Sequence, residues 1–114
     1  MSSRQFDFSE YKAVWLLVMF DLPVKTRIDR KRYARFRGLL LGEGFSQLQF
    51  SVYARPFPSE EAGEPCHNRL TRDLPEQGNV RLLLVTDRQF AKMRTFAGKK
   101  TAPNEKPMQQ ILLF

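Results

Sequence analysis

Residues that build reactive centres are nearly missing from this chain of 114 residues, which has one cysteine, Cys66, and one histidine, His67. A single cysteine excludes an internal disulfide, and no Cys/His set exists from which to build a zinc site, so a reducing cytoplasm is the expected home. His67 lies in a polar stretch far in sequence from any candidate nucleophile, which leaves a histidine-based triad without support. Long apolar runs are missing too. AVWLLVMF (13–20) is far below the roughly 20 residues of a membrane span. It follows the mixed stretch RQFDFSEYK and stops at Asp-Leu-Pro instead of a small-residue cleavage site, which predicts no secretion signal. There are no internal repeats.

Negative charge is in short supply. Twelve acids face nineteen Lys and Arg, for a net charge of +7, so a polyanion is the first partner to consider. The excess is segregated: residues 25–44 carry seven bases and two acids, whereas 59–79 carry two bases and five acids. Glu60, Glu61 and Glu64 in that acidic stretch read as the solvated first turn of a helix, not as a metal cluster. With 42% hydrophobic residues the chain suits one globular domain.

Along that domain, AVWLLVMF is rich in β-branched and aromatic residues and closed by a Pro-containing turn, which predicts a strand. It has no polar alternation, so both of its faces should be buried. A chain this short can hardly cover both sides of a sheet, which points to a partner subunit. KTRIDRKRYARFRGLLL (25–41) reads as a helix with Ile28, Tyr33, Phe36, Leu39 and Leu40 on one face. Gly42 and Gly44 are suited to ending it. FSQLQFSVYARPF (45–57) predicts strand, one or two, with no Asn-Gly or Gly-Gly to mark the division.

A second helix is expected after Ser59, a candidate N-cap, with Ala62, Cys66, Leu70 and Leu74 spaced by four. Gly63 and Pro65 weaken its start and favour one nearer Pro65. VRLLLV (80–85) predicts another strand, and Thr86-Asp87 caps a short helix packing Phe90, Met93 and Phe96. Residues 1–10 read as an N-terminal extension, 11–96 as the domain, 97–107 as a Gly/Pro/Lys-rich linker and 108–114 as an apolar docking tail. The order βαββαβ predicts an α+β, ferredoxin-like fold.

Two features are candidates for function. Asp21 stands where the first strand ends, held by a rigid element yet within reach of solvent. It reads either as a turn residue or cap for the following helix, or as a metal ligand. Counted by twos it shares a face with Trp15, Leu17 and Met19. Packing of that face about a two-fold axis would bring two Asp21 carboxylates together, a pair that a divalent cation such as Mg²⁺ relieves. The other feature is the basic face of 25–37. Arg27, Arg30, Lys31, Arg32, Arg35 and Arg37 exceed what solubility needs, and Arg suits bidentate phosphate contacts. A third reading is a single-stranded RNA-binding module that stacks bases on sheet aromatics such as Phe50 and Tyr53.

WLLVMFDLP, the basic helix ending in FRGLLLGEGF, then LQFSVYARP, and NVRLLLVTDRQF with its apolar tail together resemble the CRISPR-associated protein 2 family, in the spelling of type II systems. The resemblance covers Tyr11 to Phe114. It implies a ferredoxin-like homodimer packed through its sheets, with Ile111, Leu112, Leu113 and Phe114 adding to the partner's sheet. It also implies a Mg²⁺ ligand at Asp21 and, in some members, metal-dependent endonuclease activity on RNA or double-stranded DNA. In spacer acquisition it implies a dimer that bridges the CRISPR-associated protein 1 integrase and supports the protospacer duplex, a role that needs no cleavage. The extension MSSRQFDFSE and the Gly63-Glu64-Pro65 interruption depart from the family pattern.

Overall fold

A computed structural model describes residues 13–104; the N-terminal extension and the tail Ile111–Phe114 lie outside the described residues. Four strands form the main sheet: β1 (Val14–Asp21), β2 (Ser46–Gln49), β3 (Val52–Phe57) and β4 (Asn79–Thr86). Two long helices, α1 (Arg27–Gly42) and α2 (Glu60–Arg72), connect them. The sheet order is β2-β3-β1-β4 with every pair antiparallel, the ferredoxin-like arrangement that the βαββαβ order predicts.

The apolar run of β1 is buried on both faces because its alternate residues serve two cores. Val14, Leu16, Val18 and Phe20 pack with Phe36 and Leu40 of α1, Tyr53 and Phe57 of β3, and Cys66 and Leu70 of α2. Trp15 and Leu17 point the other way, into a smaller cluster with Ala54 and Phe90. Phe90 comes from α3 (Asp87–Ala91), and its ring stacks on Trp15 at 4.0 Å and 7°. The Trp15 indole Nε1–H also donates to Asp87 Oδ1 at 2.7 Å. The chain thus covers part of its second sheet face itself, although Leu83 on that face remains exposed.

The helix ends follow from local chemistry. Thr26 caps α1 in a full capping box with Asp29, worth about 1 kcal/mol. Its C-terminus closes in a Schellman motif: the Gly44 N–H donates to Leu41 O, the Phe45 N–H to Leu40 O, and Gly44 takes φ +88. Ile28, expected in the core, is 60% exposed; it stands in the first turn of α1, two turns before Phe36. The second helix begins at Glu60, not near Pro65. The Ser59 side chain accepts from the Ala62 N–H, and Gly63 lets the helix press on the Phe57 ring, where a Cβ would lie 3.2 Å from ring carbons. Cys66 and Leu70 are buried as expected, whereas Ala62 and Leu74 are exposed.

Residues 45–57 form two strands that divide at Phe50-Ser51 without a glycine, after an irregular register between Gln47 and Gln49. Thr86 caps α3, but of the three residues expected to pack there only Phe90 is buried; Met93 and Phe96 are exposed. Phe96 belongs instead to a hairpin of β5 (Thr95–Ala97) and β6 (Lys100–Ala102), which occupies part of the expected linker. Gly98, at φ +69, turns that hairpin. No described helix is long and apolar enough to cross a membrane.

Candidate nucleic-acid interface

One end of the sheet gathers the last residue of β1, the first of β4, the β2–β3 turn and the approach to α1. Asp21 pairs with Asn79 across the β1–β4 ladder, and the Phe20 N–H donates to Ser51 O at 3.0 Å. Asp21 is exposed, and its carboxylate makes no hydrogen bond or ion pair among the described residues. It does not cap α1, since Thr26 does. The capping reading is therefore removed, and the turn and metal-ligand readings of Asp21 stand.

By register Asp21 shares the helix-free face with Met19, and Arg81, paired with Met19, lies diagonal to it. Arg81 is a charged neighbour that the sequence alone did not reveal, because only the β1–β4 register brings it there. A single chain supplies one carboxylate at this point, and among the described residues no three His, Cys, Asp or Glu come together to hold a metal ion. These residues do not by themselves fit a Mg²⁺ ion.

The basic face of α1 is largely free. Arg27, Lys31, Arg35 and Arg37 are exposed and form no ion pair among the described residues. Arg30 is held in place by donating to Lys25 O at 2.9 Å and Val24 O at 3.3 Å, and Arg32 approaches Glu76 at 3.7 Å. Uncompensated guanidinium and ammonium groups spread over the solvent side of one helix suit contact with a phosphate backbone, independent of sequence.

Other titratable groups serve structure. Glu43, at the end of α1, is bidentate with Arg69 of α2 at 2.7 and 2.8 Å, while its main-chain carbonyl accepts from Arg55 at 2.6 Å. The Arg69 guanidinium holds the Glu43 carboxyl below the usual carboxylate range, and burial pushes the neighbouring Cys66 thiol up. Cys66 is thus an inert core residue. His67 is exposed and contacts the Asn68 side chain.

The aromatics expected to stack bases on the sheet part company. Tyr53 is completely buried on the helix side of the sheet, among Phe20 and its neighbours, so it offers no base a surface. Phe50 is not on the sheet face at all; it projects from the β2–β3 turn.

The family model for CRISPR associated protein Cas2 matches residues 14–93. A protein of Flavobacterium psychrophilum named CRISPR-associated endoribonuclease Cas2 is 44% identical over 106 residues, 93% of this chain and 92% of its own. Relatives of the same name from Parvibaculum lavamentivorans, at 44% over 89% of this chain and all of theirs, and from Acidovorax ebreus, at 42% over 87% of this chain and 98% of theirs, extend the similarity across the β1 end and the basic helix.

Proposed function

Because the chain belongs to the Cas2 family of CRISPR-associated proteins, we propose that it acts in CRISPR adaptation as a homodimer that holds double-stranded protospacer DNA and bridges the CRISPR-associated protein 1 integrase. The observation that carries this reading is the exposed basic surface of α1: Arg27, Lys31 and Arg35 follow one another at four-residue steps, and Arg30 and Arg37 stand along another edge of the same helix. Such a surface binds duplex through its backbone. Exposed Leu83 and part-buried Met19 on the helix-free face support dimerisation there. The edge of β4, unpaired among the described residues, is where Ile111, Leu112, Leu113 and Phe114 of a partner would add. Duplex binding by the wild type and by charge-reversed variants at Arg27, Lys31, Arg35 and Arg37, measured across a salt series, tests the reading. An unchanged salt slope would sink it.

A second reading follows the relatives' name, an endonuclease acting on RNA. The observation in its favour is Asp21, an exposed carboxylate fixed at a strand end with no capping task. Two copies of Asp21 in a dimer would share a Mg²⁺ ion, which when bound supplies an activated water for phosphodiester attack. Cleavage by the wild type and by Asp21→Ala, each with and without chelator, tests it; equal activity would identify a contaminating nuclease.

A further inference from the structure

The β2–β3 turn carries the most exposed large apolar side chain of the described residues, Phe50, at 73%. It is not loose. Its ring stacks on Tyr33 of α1 with centroids 5.6 Å apart and planes 24° from parallel. The Tyr33 hydroxyl donates to Phe50 O at 3.2 Å and lies 3.1 Å from Ser51 Oγ, and Gln47 Nε2–H donates to the same carbonyl at 3.3 Å. One face of the Phe50 ring is therefore backed by a second aromatic, the backbone beneath it is fixed, and the other face is open. Arg30 and Arg37 lie three residues before and four residues after Tyr33, so both stand next to it on α1. Arg30 is itself pinned by two carbonyls. Asp21 is at the same end of the sheet, one residue beyond the Phe20–Ser51 hydrogen bond.

We propose that Phe50, backed by Tyr33 and flanked by Arg30 and Arg37, is a stacking platform for one unpaired nucleobase of a nucleic acid whose backbone runs along α1. The proposal rests on the nucleic-acid reading above and sharpens it. A rigid aromatic with one open π-face and cationic neighbours accepts any base without reading its edges, and its guanidinium neighbours meet the adjoining phosphates. A continuous blunt duplex offers no free base face along its length. The platform therefore distinguishes unpaired nucleotides, such as overhangs or single strands, from paired ones.

The test compares binding of a blunt DNA duplex, the same duplex with a single-stranded overhang, and a single-stranded oligonucleotide carrying 2-aminopurine. Phe50→Ala should weaken the overhang and single-strand probes by about fivefold to a hundredfold, relieve 2-aminopurine quenching, and leave the blunt duplex unchanged. Phe50→Trp should retain wild-type binding, whereas Phe50→Leu, which keeps apolar bulk, should behave like the alanine variant. Wild-type binding by Phe50→Leu, or an equal loss on blunt and overhang probes, overturns the platform and leaves the backbone-binding reading intact. Failure of the wild type to bind any probe overturns both. The side chain is exposed, so these variants keep the fold, and their thermal unfolding serves as the control.

Discussion

Gly78 leans directly against the carbonyl of Asp21: a Cβ built on it would lie 2.5 Å from that oxygen and 2.7 Å from Leu22 Cδ2, with the backbone at φ +89. Only glycine combines this closeness with this conformation. The residue that enters β4 thereby sets the position of the strand end that carries Asp21.

Gly78→Ala should accordingly destabilise the fold by at least about 1–3 kcal/mol from the backbone conformation alone, with the clash added. Gly38→Ala, in the middle of α1 with open space where its Cβ would go, should stabilise by about 1 kcal/mol. Urea unfolding of the two variants beside the wild type checks both signs at once.

The Glu43–Arg69 pair should leave a signature in the pH dependence of stability. The folded carboxyl is held below the usual range by Arg69, so its contribution is fully present above the unfolded value of roughly 4.3 and fades as pH falls through the lower folded value. Wild type should exceed Glu43→Gln by a constant margin at neutral pH, and the margin should close in acid. Denaturant midpoints across a pH series would show it; a gap that persists in acid would mean that the glutamate acts through packing alone.

Tyr53 offers the opposite case, a buried residue whose polar atom gains nothing. Its hydroxyl has no hydrogen-bond partner among the described residues, so Tyr53→Phe should be neutral or stabilising by up to about 1 kcal/mol. A clear loss of stability in thermal unfolding would reveal a partner for the hydroxyl.

Asp21→Ala should change stability by less than about 0.5 kcal/mol, because the side chain is exposed and unbonded among the described residues. The endonuclease reading requires the same substitution to abolish cleavage. Measuring both on one preparation separates a lost catalytic group from a lost fold.

Much of this architecture was legible in the sequence because it rests on short-range pattern. The doubly apolar β1, the Phe36/Leu40 face of α1 and the Thr86 cap all declare themselves within a few residues. What escaped depends on contacts distant in the chain. The early start of α2 needs Gly63 against Phe57, a strand-to-helix fit that makes a helix-weakening residue the favourable one. The hairpin inside the expected linker is fixed partly by Asn104, which donates to Met93 O at 2.5 Å and accepts from Thr95 Oγ1 at 2.8 Å. Asp21 and the basic surface of α1 could be picked out as candidates, but Arg81 beside Asp21 and Tyr33 beneath Phe50 follow only from strand register and helix placement.

The Trp15–Phe90 stack has a practical consequence. Trp15 is the only tryptophan in the chain, and its indole is enclosed by α3 on the sheet face opposite the long helices. Intrinsic emission from this protein is thus a single-site signal, and a red shift that precedes loss of helical circular dichroism would mark α3 lifting off while the main core stays folded. The molecule carries its own optical gauge of events on that face, including association of a second copy, without any label.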